Sequence, residues 1–253
     1  MIPLESINLV LFDLDGTVYC GSEMMPGANE TIKFFRDNGK KVCFATNNST
    51  KTRKQVYIKL REMGIDCSIE EVVTSGYLAA LYAKKANLSG IFVFGSQNLI
   101  DELNEQGIFT TQDDSAENLL IGYNPEMSYK DLTEAVHVAM HAKCIIACNR
   151  ERLFPRENAV MMPGCGAMTA PIEWCANRPC DVIIGKPSTL MVELVAELNN
   201  VDNNRSILVI GDTAESDIEM ANRAGCSSIL IGKADGAHVQ TVSSIAEIRD
   251  VFC

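Results

Sequence analysis

Asp13 and Asp15 stand one residue apart at the end of an apolar run, Val10-Leu11-Phe12-Asp13-Leu14-Asp15-Gly16-Thr17. Buried parallel strands are apolar almost throughout, and ligands of α/β proteins gather beyond the strands' carboxyl ends. Strand alternation would put both carboxylates on one face, but Gly16 bends the chain, so their final directions do not follow from periodicity alone. Two carboxylates this close resist ionising together unless a cation lies between them or one keeps its proton. Either outcome is usable in catalysis. The plain alternative is an aspartate-rich turn, since Asp and Gly are ordinary turn residues.

Three other segments carry chemistry at the ends of apolar runs. Phe44-Ala45-Thr46-Asn47-Asn48-Ser49 offers a hydroxyl, amides and the start of a helix, a combination suited to an anion. Ile183-Ile184-Gly185-Lys186-Pro187 delivers a lysine just before a helix that Pro187 opens. Ile210-Gly211-Asp212-Thr213-Ala214-Glu215-Ser216-Asp217 ends in two further acids. Oxygens from Asp13, Asp212 and a backbone carbonyl form a hard donor set of the kind Mg²⁺ takes, and Asp217 also fits the simpler role of an acid at a helix N-terminus. Acid, hydroxyl, lysine and acid at four strand-to-helix junctions are hard to attribute to four independent caps.

The elements that must position these groups alternate from end to end, which predicts an α/β fold with a doubly wound parallel sheet. Strands are expected at 7–13, 41–46 and 71–73, with a helix running from Pro26-Gly27 to Asn38 and another after Asn48-Ser49-Thr50. A second series begins near Ser89-Gly90, with strands at 91–94, 118–122 and 144–148, helices at 97–106 and 128–142, a long irregular stretch, and a helix at 166–176. The pattern then resumes with strands at 181–184, 206–210 and 227–231, helices at 187–199 and 215–224, and a short strand and helix in the tail. The middle series has its own strands and reads as a domain of its own.

The motifs DLDGT, ATNNS, GKP and GDTAESD resemble the four motifs of the haloacid dehalogenase superfamily of phosphatases. The intervening IGYNPEMSYKDLTEA, ACNRERLFP and MMPGCGAM resemble the large α/β cap of its NagD-like branch. The resemblance implies a Rossmann-like core at 1–78 and 182–253 with an inserted α/β cap at 79–181, and hydrolysis of small phosphomonoesters through an aspartyl-phosphate. It implies Asp13 as nucleophile and Asp15 as general acid and base. Mg²⁺ would be held by the Asp13 and Asp212 carboxylates and the Asp15 carbonyl, with Asp217 as an outer or water-mediated partner. Thr46, the Asn47 amide and Lys186 would hold the phosphoryl oxygens. Asn149 and Glu151, in the cap segment ACNRE, would contact substrate. Thr213 and Ser216 replace the arginine and threonine more usual in motif four, and the region after Ile231 looks shorter than usual; both bear on substrate preference.

The substrates implied are sugar phosphates, glycerol phosphates, nucleotides or pyridoxal phosphate, and a homodimer is compatible with the branch. A phosphotransferase or phosphomutase would use the same intermediate, but such relatives usually carry a small helical cap between the first two motifs, and Val18 to Lys41 is too short for one. A phospho-acceptor signalling module would be about half this length and would have no use for Asp15. A non-catalytic phospho-ligand-binding protein is the remaining alternative.

Composition narrows the setting. A net charge of −11 argues against nucleic-acid and anionic membrane partners, and no segment approaches the ~20 apolar residues of a membrane span. The N-terminal residues do not read as a signal peptide, so a cytoplasmic protein is expected. The ten cysteines read as reduced thiols, several in apolar runs, without structural-zinc spacing. His137 and His141, at i and i+4, read as a solvated helix face, Trp174 is expected in the cap core, and His238 carries no partner signal.

Overall fold

The protein is described by a computed structural model covering residues 2–155, 160–233 and 239–252; His238 lies outside these residues. In chain order the elements are β1 (Leu9–Asp13), β2 (Tyr19–Cys20), β3 (Glu23–Met24), α1 (Ala28–Asp37), β4 (Lys41–Thr46), α2 (Arg53–Glu62) and β5 (Val72–Thr74). Then come α3 (Ser75–Lys85), β6 (Ile91–Phe94), α4 (Gln97–Glu105), β7 (Thr110–Thr111), β8 (Asn118–Ile121), α5 (Tyr129–His141) and β9 (Cys144–Ala147). They are followed by β10 (Leu153–Pro155), β11 (Met161–Pro163), α6 (Gly166–Ala176) and β12 (Val182–Ile183). The chain closes with α7 (Thr189–Leu198), β13 (Ile207–Gly211), α8 (Glu219–Ala224), β14 (Ser227–Ile231) and β15 (Gln240–Val242). Two compact units emerge, one of Met1–Thr46, Val56–Val73 and Lys186–Cys253, the other of Asn47–Gln55 and Thr74–Gly185.

In the first unit a six-stranded sheet has the order β15-β14-β13-β1-β4-β5. The ladders of β1 with β13 and β4, and of β14 with β13 and β15, are parallel. The chain therefore runs outward from β1 through β4 to β5, then restarts at β13 on the other side of β1. That reversal opens a crevice at the carboxyl ends of β1 and β13, the usual ligand position in such sheets. Apolar residues at 28, 32 and 35 of α1, spaced for one helix face, are buried on this sheet. Phe12 meets Phe35 edge-on at 5.9 Å and lies 6.1 Å from Phe44, centring the core behind Asp13.

In the second unit five strands run in the order β12-β9-β8-β6-β7, all in parallel ladders. Phe92, Phe94, Leu119, Ile121, Val138, Ile145 and Ile172 fill its core. The α/β class expected from the alternating pattern is the one observed. The strand expected at 181–184 is β12, and it pairs with β9 in the second sheet, so Lys186 leaves from the end of that sheet.

Some elements were hidden in the sequence. Helix α3 buries Ser75, Gly76, Tyr77, Leu78, Ala79, Ala80 and Ala83, on more than one face, so it presents no amphipathic stripe. Within the stretch expected to be irregular, β10 and β11 pair as an antiparallel ribbon, each strand ending in a proline that obscures the strand pattern. Trp174 is not in the core: it is 87% exposed, because α6 buries Met168, Thr169 and Ile172 and position 174 turns away from that stripe. His137 lies on the exposed part of α5, 3.8 Å from Asp114. Among the described residues no disulfide joins the cysteines, and no helix is long and apolar enough to cross a membrane.

Candidate active site

The site in the first unit is built at the strand reversal. Asp13 is the last residue of β1, and Gly211 ends the neighbouring parallel strand β13, so Asp212 emerges beside Asp13. After Asp212 the chain turns into a single π-helical turn, Ala214–Ile218, which carries Asp217 back toward the strand end. A side chain at Gly211 would put its Cβ 2.3 Å from the Asp217 carboxyl carbon, so the close return needs glycine. Asp217 is buried, and its Oδ2 accepts from the Thr213 N–H and the Ser216 hydroxyl, each at 3.3 Å. Thr213 and Ser216 thus fix the turn's own aspartate.

One oxygen from each of Asp13, Asp212 and Asp217 lies within 4.8 Å of the others. Lys186, itself buried, pairs with Asp13 and with Asp217, the latter at 2.7 Å. Three carboxylates thus face one ammonium, and the electrostatics record the imbalance. Burial, with repulsion from Asp217 and Asp212, pushes the Asp13 carboxyl well above the ordinary range against the pull of Lys186. Burial likewise raises Asp212, with Asp217 adding to it. Burial opposes the charge on Lys186, but Asp13 and Asp217 outweigh it and keep the ammonium protonated. Uncompensated negative charge on hard oxygen donors is the environment a small divalent cation fits.

Asp15 follows on a tight turn. The Leu14 carbonyl accepts from the Val18 and Tyr19 N–H groups at 2.9 and 3.1 Å, and the Gly16 N–H donates to the Tyr19 carbonyl at 2.7 Å. Asp15 is exposed as a residue, yet neighbouring protein removes enough water from its carboxyl to raise it above the ordinary value, against Lys59 and the Tyr19 hydroxyl. That hydroxyl donates to Asp15 Oδ2 at 3.2 Å. Tyr19 carries no signal in the sequence, because only the closed turn brings it to Asp15.

Thr46 ends β4 and is buried, with Ala45 paired to Asp13 across the ladder. Asn47 begins the second unit's share of the loop. Its carbonyl accepts from the Ser75 hydroxyl at 2.7 Å and from Asn149 Nδ2 at 2.8 Å. Asn48 Oδ1 accepts from the Thr50 and Lys51 N–H groups, and Thr52 with Gln55 caps α2, two residues later than the sequence suggested. Asn149, expected to contact substrate, is buried with both ends of its amide hydrogen-bonded, its Oδ1 accepting from the Glu151 N–H at 3.0 Å. Glu151 is half-buried where β10 begins, and a cavity of about 600 Å³ beside it is lined by Arg150, Arg152, Leu153 and Pro163.

Residues 10–109 match the model of the Haloacid dehalogenase-like hydrolase family, and residues 183–249 a second model of HAD-like hydrolases. The sugar-phosphatase AraL of Bacillus subtilis is 35% identical over 226 residues, covering 88% of this chain and 82% of that protein. The chain belongs to the haloacid dehalogenase-like hydrolases. This hydrolase also superposes on a 4-nitrophenylphosphatase from Thermotoga maritima with a TM-score of 0.91 and 26% identity, over 99% of both chains. It shares its fold with NagD from Escherichia coli K-12, with a TM-score of 0.85 at 23% identity over 96% of this chain and 98% of that one. It is a NagD-like phosphatase of the superfamily, as the motifs DLDGT, ATNNS, GKP and GDTAESD imply.

Proposed function

We propose that this hydrolase releases phosphate from small phosphorylated metabolites, a sugar or glycerol phosphate, a nucleotide or pyridoxal phosphate, through an aspartyl-phosphate on Asp13. The observation that carries the reading is the convergence of the Asp13, Asp212 and Asp217 carboxylates with Lys186 at the strand reversal. Mg²⁺ is the cation we assign to these carboxylates, with Asp13, Asp212 and the Asp15 carbonyl as ligands and Asp217 as a water-mediated partner. When bound it would neutralise phosphoryl charge and keep Asp13 ionised.

The chain's own groups divide the reaction. A carboxylate oxygen of Asp13 attacks phosphorus and forms a new O–P bond as the ester O–P bond breaks. Asp15, whose carboxyl desolvation raises above the ordinary value, is the group that gives a proton to the departing oxygen. It then takes a proton from the water that attacks the aspartyl-phosphate, so that phosphate leaves and Asp13 is restored. Lys186, Thr46 and the Asn47 amide hold the phosphoryl oxygens, since phosphoryl transfer depends chiefly on positioning and charge stabilisation. Residues 79–181 act as the cap that selects the leaving group, with Glu151 contacting it and Asn149 fixing the Glu151 loop. The cytoplasm, with its phosphorylated metabolites, is the compartment this role implies.

The test is a phosphate-release screen over sugar phosphates, glycerol phosphates, nucleoside monophosphates and pyridoxal phosphate, with Mg²⁺ and with excess chelator. Turnover of at least one class that needs Mg²⁺ is expected. Full activity in chelator would remove the metal from the reading, and no turnover of any class would remove the substrate assignment.

A further inference from the structure

We infer that Tyr19 is a positioning residue for the Asp15 carboxyl, and that Lys59 holds Tyr19 in that role. The inference rests on the reading of Asp15 as proton donor to the leaving group, and it starts from a problem that reading leaves open. Asp15 is an exposed aspartate on a turn, and the two oxygens of its carboxyl are chemically equivalent until something distinguishes them. A proton on the wrong oxygen, or on the right oxygen pointing away, does not reach the leaving group.

The turn supplies what is missing. Gly16 N–H to Tyr19 carbonyl, and Tyr19 N–H to Leu14 carbonyl, close the loop so that residue 19 returns beside residue 15. The Tyr19 ring is buried, 3% exposed, and its hydroxyl reaches Asp15 Oδ2 at 3.2 Å. A phenol that donates to Oδ2 makes that atom the acceptor of the carboxylic acid, which leaves Oδ1 to carry the proton. The ring is fixed from above by α2, where the Lys59 ammonium stands 3.6 Å from the ring centroid. A cation over a phenol ring is attracted to its face, which holds the ring in place beneath α2. Lys59 thus holds the Tyr19 ring and the Tyr19 hydroxyl holds the Asp15 carboxyl, on which the Lys59 ammonium also acts directly.

The experiment compares kcat/KM for an alkyl phosphate and for 4-nitrophenyl phosphate in wild type, Tyr19→Phe and Asp15→Asn. Nitrophenolate departs with little need of a proton, whereas an alkoxide needs one, so a donor defect falls on the alkyl ester. Tyr19→Phe keeps the ring under Lys59 and should lower kcat/KM for the alkyl ester about 10-fold and for the aryl ester less than about 2-fold. Asp15→Asn should show the same bias more steeply. Lys59→Met should give a bias of the same sign, about 3-fold, and Lys59→Arg should restore wild-type behaviour because a guanidinium also stacks on a ring. Equal losses on both esters in Tyr19→Phe, or no loss on either, while Asp15→Asn keeps its bias, would overturn the role of Tyr19. Equal losses in Asp15→Asn would overturn the donor reading beneath it.

Discussion

Gly16 and Asp212 occupy one another's space: a Cβ at position 16 would lie 2.1 Å from Asp212 Oδ2. Gly16 also has φ +86°, a left-handed conformation that a side chain makes costly, about 1–2 kcal/mol. The DLDGT turn and the GDT turn are therefore built around the same contact. Gly16→Ala should displace Asp212 and weaken the cation site before it unfolds the protein. A Mg²⁺ titration of activity should show the apparent affinity weakened at least about 10-fold, the scale of a disturbed metal shell. Unchanged Mg²⁺ dependence in a folded Gly16→Ala protein would place Asp212 outside the cation site.

Asp13→Asn should abolish turnover while leaving the fold intact. The amide cannot accept a phosphoryl group, and the loss expected of a missing nucleophile is about 10³-fold or more. Circular dichroism would establish the fold and phosphate release the loss. Wild-type-like release from the folded variant would exclude Asp13 as nucleophile.

The legibility of this protein in its sequence was uneven for physical reasons. Strand ends with chemistry on them were readable because an apolar run that stops in Asp-x-Asp or Gly-Asp breaks two patterns at once. The sheet order was not, since nothing in Val182-Ile183 distinguishes a partner of β9 from a partner of β1. Helix α3 escaped because burial on several sides erases the stripe that periodicity detects. Tyr19 and Ser75 escaped because their contacts, to Asp15 Oδ2 and the Asn47 carbonyl, are made by turns and not by spacing.

Removal of the Asp217 carboxylate should cost stability as well as activity. Asp217 and Lys186 are both almost wholly buried and 2.7 Å apart, so Asp217→Ala leaves a buried ammonium with Asp13 as its remaining carboxylate partner. Breaking a buried pair from one side costs about 3–5 kcal/mol, and the Asp13 pairing places this case at the lower end. Urea unfolding of Asp217→Ala and of the double variant Asp217→Ala/Lys186→Met would check it. The double variant should not recover the loss, because it also takes from Asp13 and Asp212 the ammonium that offsets their repulsion.

Glu102 gives a pH dependence away from the active site. Its carboxyl is buried, which raises it above the ordinary value, while the Arg53 N–H at 2.5 Å pulls it back. Between the unfolded and the folded values the folded state holds more protons than the unfolded state, so stability falls as pH rises through that window. Glu102→Gln keeps an oxygen for Arg53 and removes the titration. Relative to wild type, the variant's Tm should rise as the pH is raised from the ordinary glutamate value through the higher folded one. A difference that does not change with pH would mean that Glu102 is ionised alike in both states.

Substrate choice should reside in the loop that begins at Asn149, and the two residues named there should behave differently. Asn149 holds the Asn47 carbonyl through Nδ2 and the Glu151 N–H through Oδ1, and it is buried. Its removal loosens the peptide proposed to bind phosphoryl oxygens, a group common to every substrate, so Asn149→Ala should lower kcat/KM for all esters together. Glu151 lies between Arg150 and Arg152, two of the residues lining the second unit's cavity, and is the residue proposed to contact the leaving group. Glu151→Ala should change the ratio of kcat/KM between two phosphate esters by about 10-fold, roughly the worth of one hydrogen bond. 4-Nitrophenyl phosphate, which depends less on leaving-group recognition, should change less. The check is a substrate panel run on both variants. If Glu151→Ala shifts every ester by the same factor, or Asn149→Ala reorders the panel, the division of roles between them is wrong.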